Sequence, residues 1–490
     1  MIMNRNSERA TVLSGFLWRW LERVGAQGVQ FIVALVLARV LAPEIFGTVA
    51  LINVFIAILQ VFVDSGLGNS LIQKKDADDL DFSTVFYFNI CMCCLLYLGM
   101  FFAAPAIAGF YNSSNLVSPI RAISLILIIS GVKNVQQAYV SRTMQFRKFF
   151  FATLGGTIGA AVIGIWMAYA GYGVWALIAQ SLFNATVDTI ILWCTVKWRP
   201  KKIFSWKRLI GLFSYGWKLL ISSLLDTGYT RLREMIIGKL YSPASLAYYE
   251  RGGGFPESIV SNIDSSINSV LFPAMSSEQE NRERVRDITR RAMKVSSYIM
   301  WPMMMGLSAC AGPLVSILLT DKWLPCVPFM RIFCITYAFY PVHTANLNAI
   351  KALGRSDIFL KLEILKKIIG IILLIISIPH GVMVMAYSLL ISSFASQLIN
   401  SWPNRKLLNY HYSEQIKDIL PAILLSLFMS AVVWCCGFLP FGTVVILLLQ
   451  IVVGIFIYIV GSVVFRIDSF GYMLSVIKQI IKKDKSWLVG

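Results

Sequence analysis

Long apolar segments recur along almost the entire chain, and they constrain its fold more than any other feature. A helix needs about 20 mostly apolar residues to cross the hydrocarbon core of a bilayer. Only 14% of the residues are charged, against about 25% in a soluble protein, so a soluble fold is excluded. The pattern predicts an all-α integral membrane protein with about 14 transmembrane helices. The predicted helices lie near residues 14–41, 45–69, 83–104, 116–141, 149–170, 172–196, 210–241, 244–272, 295–319, 326–350, 359–378, 381–401, 418–437 and 441–465.

Lysine and arginine gather in every second connection between these segments. The two tails and those alternate loops hold 32 of the 44 basic residues, whereas the opposite loops FYNSSN, AGYG, PHG and GFLPFG hold none. Because basic loops stay in the cytoplasm, we predict cytoplasmic termini and an outer location for residues 110–116 and 437–441. The net charge of +19 therefore reflects topology and contact with acidic headgroups. Nucleic-acid binding is excluded, because no soluble basic-aromatic module is present.

The loops and the cysteines argue against an enzyme. No outward loop is longer than about 20 residues, so an extramembrane catalytic domain has no room on that side. The nine cysteines lie in or beside apolar segments and form no CxxC pair with histidines at metal spacing. We therefore predict no catalytic residues, no metal site, no disulfide framework and no cofactor.

Two local patterns are predicted to be structural. The RGGGF run at 251–255 follows no strand and precedes no GK[ST], so it does not match a phosphate-binding loop. We expect it to loosen or bend the eighth helix. The tail at 468–485 places apolar residues on one face and lysines opposite, which predicts a helix that lies in the membrane interface.

The sequence repeats itself with an offset of 200 to 210 residues. Pro43 and Pro243 are 200 positions apart in similar contexts, and Arg121 and Arg331 are 210 apart. Two six-helix halves of the same orientation, related by duplication, explain this pattern. Parallel repeats of this kind are typical of transporters, with the substrate path at their interface. The predicted parts are an N-lobe at 1–205, a C-lobe at 206–402, and a helix pair with a tail at 403–490.

The order and spacing of several motifs resemble one transporter family. RVLAPEIFG leads into DSGLGNSLIQ, the second half opens with FSYGWKLLISS, and RGGGFPESIVSNIDSSINSVLFPAMS follows. Together they resemble the Wzx-type polysaccharide flippases, especially the colanic-acid-like branch of the multidrug/oligosaccharidyl-lipid/polysaccharide (MOP) superfamily. The resemblance implies two six-helix lobes around a central cavity that work by alternating access. The implied cargo is an undecaprenyl-diphosphate-linked oligosaccharide, moved from the inner to the outer leaflet of the bacterial inner membrane for surface polysaccharide synthesis.

Polar stripes run along two of the predicted helices. A charge at the centre of a membrane helix costs about 2.5–3.5 kcal/mol, yet Lys218, Asp226, Tyr229 and Arg233 fall within an arc of about 80° on a helical wheel. Other faces of that helix are apolar. Arg19 and Arg23 form a similar stripe on the first helix, so we predict that both stripes face a water-filled cavity.

The predicted site combines cations for substrate and carboxylates for coupling. Guanidinium groups bind a diphosphate through two hydrogen bonds, and carboxylates can accept a proton or Na⁺. The alternative is that pairs such as Lys218 with Asp226, or Lys133 with Asp188, only hold helices together. The substrate-binding candidates are Arg19, Arg23, Lys133, Lys218, Tyr229, Arg233 and Arg331. The ion-coupling candidates are Asp64, Asp188, Asp226 and Asp264.

Three other functions compete with this one. A MATE-like exporter or a lipid II flippase belongs to the same superfamily, and a cationic stripe disfavours only the export of cationic drugs. A membrane-embedded polymerase or glycosyltransferase should have a large outward loop or an acidic metal-binding motif in a loop, and the sequence has neither. Implied partners are H⁺ or Na⁺ and the proteins of polysaccharide assembly, such as a polymerase and a chain-length regulator.

Overall fold

The structure is a computed structural model that describes residues 18, 25–64, 67–74 and 76–485. In this part of the chain the regular structure is helical. The helices are α1 Gly25–Val40, α2 Pro43–Asp64, α3 Leu67–Gln73, α4 Asp79–Phe110, α5 Val117–Ile123, α6 Leu125–Arg142, α7 Arg147–Tyr169, α8 Val174–Thr195, α9 Trp206–Leu240, α10 Pro243–Ser276, α11 Arg282–Leu319, α12 Val327–Ala338, α13 Tyr340–Ala352, α14 Ser356–Ser377, α15 Val382–Ser401, α16 Asn404–Leu407, α17 Tyr412–Cys436, α18 Thr443–Val464 and α19 Asp468–Lys485. Short 3₁₀ turns lie at Ser114–Leu116, Asp321–Cys326 and Ile378–His380.

Polar side chains cap several of these helices where they leave the apolar region. Asp78 accepts the backbone N–H of Asp81 at 3.0 Å and so begins α4. Asn281 accepts the backbone N–H of Arg284 at 3.1 Å and begins α11. A cap satisfies one of the N–H groups that the first turn of a helix leaves without a partner, and it fixes the residue at which each helix begins.

Ten helical segments of the described residues are long and apolar enough to cross a membrane. They correspond to ten of the predicted spans. The other four predicted spans coincide with α1, α9, α10 and α14. The described part of α1 is short, and the other three helices carry several charges each. The fold is therefore that of an all-α membrane protein, and the count of 14 stays a prediction.

Two predicted spans are each divided into two helices. The span predicted at 116–141 is interrupted at Ser124, between α5 and α6. The span predicted at 326–350 is interrupted at Phe339, between α12 and α13. Both are the fourth span of their half. A break inside a membrane segment frees backbone polar groups, which are tolerated where protein surrounds them; Ser124 is fully buried, and its hydroxyl donates to the carbonyl of Ile120.

The chain divides into two compact units, the first ending at Ala247 and the second beginning at Tyr248. In the first unit α9 packs against α2, α3 and α4. This packing explains why the first unit extends past 205, where the sequence predicted the end of the N-lobe. In the second unit α11 packs against α12, α13, α17 and α18, so the last helix pair joins that unit. The division into an N-lobe, a C-lobe and a terminal helix pair stays a prediction.

Glycine allows close packing within the second unit. The RGGGF run lies inside α10, which continues as a helix from Pro243 to Ser276. A Cβ atom on Gly252 would lie 2.7 Å from Cβ of Phe329 and 2.9 Å from the backbone nitrogen of Met330 on α12. The structure gives the run a packing role, because only glycine lets α10 and α12 approach so closely, and the expected loosening or bend stays a prediction.

Candidate functional site

An ion pair joins two apolar helices of the first unit. The ε-amino group of Lys133 on α6 donates to a carboxylate oxygen of Asp188 on α8 at 3.0 Å. The two side chains are 20% and 13% exposed, so both are mostly covered by other parts of the protein. Pairing reduces the cost of placing each charge among apolar helices. The structure thus contains the pairing that the sequence suggested as the alternative to a substrate contact.

Asp64, the last residue of α2, faces the same helix α6. Its carboxylate accepts the side-chain N–H of Gln60 at 3.2 Å and lies 3.5 Å from the amide nitrogen of Asn134. The same Asn134 amide donates to the backbone carbonyl of Val63 at 3.2 Å. Because Asn134 directly follows Lys133, the charges of Asp64, Lys133 and Asp188 belong to one polar region of the first unit.

Asp264 on α10 has a comparable environment in the second unit. One carboxylate oxygen accepts the hydroxyl of Thr344 on α13, and the other accepts the amide N–H of Asn268 at 2.9 Å. Asn268 in turn accepts the amide N–H of Asn348 at 2.6 Å. A chain of hydrogen bonds therefore connects α10 to α13, and the carboxylate is positioned by neutral donors.

The two carboxylates occupy equivalent positions of the internal repeat. Asp64 and Asp264 are 200 residues apart, which is the offset of the paired prolines at the starts of α2 and α10. Their partners Asn134 and Thr344 are 210 apart, which is the offset of Arg121 and Arg331. Each half thus places a carboxylate at the junction of corresponding helices, α2 with α6 and α10 with α13.

The residue before each partner differs between the halves. Lys133 in the first half corresponds to His343 in the second, again with an offset of 210. The His343 ring lies 3.4 Å from the hydroxyl of Ser393 and 3.2 Å from the amide of Asn400, both on α15. Lys133 thus has a carboxylate partner, whereas the equivalent His343 has neutral partners.

The stripe on α9 is partly described. Asp226 is exposed, Tyr229 is half-buried, and Arg233 is 8% exposed. On the same helix Arg231 pairs with Glu234 at 2.7 Å. Little of Arg233 is therefore accessible in this conformation.

The other predicted cations are either exposed on another helix or lie outside the described part of the chain. Arg331 is exposed on α12. The side chain of Lys218 lies outside the described part of the chain, as do Arg19 and Arg23. The stripe on the first helix therefore stays a prediction.

The sequence patterns do not indicate the uncharged partners of the carboxylates. Asn134, Thr344 and Asn268 are common residue types, and nothing in their immediate neighbours indicates a role. The internal repeat relates two of them to each other. Asn134 and Thr344 are 210 positions apart, and the carboxylates that they contact, Asp64 and Asp264, are 200 positions apart.

Sequence comparison identifies relatives named for polysaccharide biosynthesis or for transport in it. The family described as polysaccharide biosynthesis protein matches residues 36–328, which is more than half of the chain. The succinoglycan biosynthesis transport protein ExoT of Rhizobium meliloti is 24% identical over 71% of this chain and 70% of its own length. The lipopolysaccharide biosynthesis protein WzxC of Escherichia coli is 22% identical over 81% of this chain and 80% of its own length.

Solved structures share the fold. The lipid II flippase MurJ, in an inward closed conformation, aligns with a TM-score of 0.76 and 15% identity over 93% of this chain and 99% of its own. An inward-facing MATE family transporter of the MOP superfamily aligns with a TM-score of 0.60 and 12% identity, over 78% of this chain and 94% of its own. The apolar helices, the charges held among them and these similarities lead to one conclusion: the chain is a multi-pass membrane transporter with a MOP-type fold and belongs to the polysaccharide biosynthesis protein family.

Proposed function

We propose that this protein is a flippase that moves an undecaprenyl-diphosphate-linked oligosaccharide repeat unit across the bacterial inner membrane by alternating access, with both termini in the cytoplasm. The observation that carries the proposal is the pair of repeat-equivalent polar regions, centred on Asp64 and Asp264, among otherwise apolar helices. Ionisable groups inside membrane helices are costly and mark transport paths. Duplicated halves with equivalent polar positions suit a transporter whose halves act in concert.

The proposed substrate contacts are cationic. A diphosphate carries charge that hydrocarbon rejects, and guanidinium groups bind phosphate oxygens in a two-pronged geometry. In this proposal Arg233 and Lys218 on α9, Arg331 on α12, and Arg19 and Arg23 on the first helix bind the diphosphate. Lys133 is the further cation of this set, and Tyr229 is the aromatic residue that contacts a sugar.

The proposed driving force has two parts. The membrane potential, negative inside, favours outward movement of an anion by about 2.3 kcal/mol per charge per 100 mV. Entry of H⁺ or Na⁺ through Asp64, Asp188, Asp226 and Asp264 supplies the rest. The donors around Asp64 and Asp264 are neutral amides and a hydroxyl, which leave each carboxylate able to exchange a proton or a cation.

The decisive experiment removes the gene from its natural host. Export of one surface polysaccharide should stop, while undecaprenyl-diphosphate-linked repeat units accumulate on the inner leaflet. Thin-layer and mass-spectrometric quantification of these lipids, with a surface stain for the polysaccharide, measures both effects. A polymerase and a chain-length regulator would act downstream of this step. Full surface polysaccharide in the deletion strain, with no second flippase present, would overturn the proposal.

A substitution series tests the stripe separately. Arg233→Ala should reduce transport at least tenfold, and Arg233→Lys should restore only part of it, because an ammonium group keeps the charge and loses the two-pronged geometry. Leu225→Ala is the control, since this side chain is 66% exposed on the same helix. Normal transport by Arg233→Ala at normal membrane abundance would exclude Arg233 from the substrate path.

A further inference from the structure

The segment between α8 and α9, residues 196–205, lacks regular structure yet is firmly anchored; we call it the linker. Trp198 is buried near its centre, within the apolar core of the first unit. Its indole N–H donates to a carboxylate oxygen of Asp79 at 3.2 Å, and its backbone carbonyl accepts the side-chain N–H of Gln136 at 3.2 Å. One side of the linker is therefore fixed to α4 and α6.

Backbone hydrogen bonds fix the rest of the linker to the first turns of α4. The N–H of Lys201 donates to the hydroxyl of Ser83 at 3.0 Å, and the N–H of Ser205 donates to the hydroxyl of Thr84 at 3.1 Å. The ε-amino group of Lys201 also pairs with Asp79 at 2.6 Å. These contacts order the linker, so its remaining side chains are displayed from a defined backbone.

The linker and the first turns of α9 display apolar side chains. Ile203, Phe204, Trp206 and Ile210 are all exposed, with Trp206 and Ile210 at 66%. The rings of Phe204 and Trp206 lie 5.1 Å apart in an edge-to-face arrangement. Aromatic residues with aliphatic neighbours at the end of a membrane helix are typical of the boundary between headgroups and hydrocarbon.

Three lysines alternate with these apolar side chains. Lys197, Lys202 and Lys207 are exposed, and in the described part of the chain no carboxylate lies within ion-pairing distance of them. This surface therefore has an excess of positive charge that the protein itself does not neutralise.

We propose that the linker and the start of α9 form a binding surface for the phosphate headgroup of an acidic phospholipid of the surrounding bilayer. Lys197, Lys202 and Lys207 supply the ammonium groups. Phe204 and Trp206 enter the interface beside the acyl chains. A lysine near an acidic membrane surface gains about fivefold in binding, and its aliphatic stem can lie along apolar surface. The surface belongs to the linker and the start of α9 and needs no property of the transported cargo.

The test compares two triple variants of the full chain. K197Q/K202Q/K207Q removes the proposed contacts, and R405Q/K406Q/K417Q removes three other exposed cations. Each protein is purified from the same membranes in mild detergent. Phosphatidylglycerol and phosphatidylethanolamine that remain bound are then quantified by mass spectrometry. Thermal unfolding in the same detergent verifies that each variant is folded.

The expected result is at least a fivefold loss of bound phosphatidylglycerol for the linker variant, with phosphatidylethanolamine unchanged and the control variant near normal. K197R/K202R/K207R, which keeps the charge, should retain the lipid. Equal retention by the linker variant and the control would overturn the proposal. Normal phosphatidylglycerol combined with impaired polysaccharide export would also overturn it, because the surface would then serve the transported lipid.

Discussion

The ion pair of Lys133 and Asp188 places two charges among apolar helices, where an unpaired charge is costly. Each charge alone would be stranded among apolar helices, and together they satisfy one another at 3.0 Å. Breaking such a pair costs more than removing it entirely, because one partner is left with an uncompensated charge. The pair therefore allows a test that separates its contribution to stability from its contribution to transport.

Replacing Lys133 with Ala should destabilise the protein by about 3 kcal/mol, since Asp188 loses its partner. The double variant Lys133→Ala/Asp188→Ala should recover most of that loss and still transport slowly, because in our proposal Lys133 also contacts the substrate. Thermal unfolding of the purified protein and polysaccharide export measure the two effects. Lys406→Ala, at an exposed position, is the control. A double variant as unstable as the single one would contradict the pairing argument.

Thr84 gives a second residue-scale prediction, for the linker. It is fully buried, and its hydroxyl accepts the backbone N–H of Ser205. Thr84→Val preserves the shape but leaves that N–H without a partner, so a loss of about 1–3 kcal/mol is expected. The matched control is Thr195→Val, where the exposed hydroxyl bonds only within its own helix. If the unfolding midpoint of Thr84→Val equals that of the unmodified protein within the measurement error, the proposed role of the hydroxyl is refuted.

At the scale of elements, neighbouring glycines of one helix serve different purposes. Gly252 faces α12 at a distance that excludes a side chain, whereas a Cβ on Gly254 would have no neighbour within 4 Å. Because positions two residues apart lie about 200° apart around a helix, the two glycines offer a controlled comparison within one turn.

Gly252→Ala should separate α10 from α12 and cost about 1–3 kcal/mol, the range for overpacking. Gly254→Ala should be neutral or stabilise slightly, because alanine favours helix where space permits. Detergent unfolding and membrane abundance are the measurements. Equal effects of the two substitutions would show that the contact between α10 and α12 is not limiting.

At the scale of the whole molecule, orientation is the property that the charge pattern predicts most directly. Asn115, in a loop without basic residues, should be outside, and Arg284, at the basic start of α11, should be inside. The single substitutions Asn115→Cys and Arg284→Cys at these two exposed positions, in a variant without the nine native cysteines, report the side. Only the Asn115→Cys protein should react with an impermeant maleimide on intact cells. The opposite pattern would invert the predicted topology.

Length and hydropathy were sufficient to predict most of the helices, because a bilayer accepts little besides apolar helices. They also predicted α9, α10 and α14 as spans, but the several charges on each of these helices leave their crossing of the membrane a prediction. The pairing of Lys133 with Asp188 could be suggested because charges are rare in such helices. The contacts of Trp198 with Asp79 and of Ser205 with Thr84 could not, because they join residues 119 and 121 positions apart that have no shared local pattern.

The anchored linker has a consequence for how such chains can diverge. Adjacent hydroxyls at Ser83 and Thr84 hold backbone N–H groups at Lys201 and Ser205, four positions apart. Backbone donors are offered by every residue except proline, so these two hydrogen bonds require nothing of the side chains of Lys201 and Ser205 beyond the exclusion of proline. An insertion or deletion between these two donors, however, would move one of them away from its acceptor. In natural relatives that keep this arrangement, selection should therefore act on the number of residues between the two donors more strongly than on their identity, and gaps should accumulate in other loops.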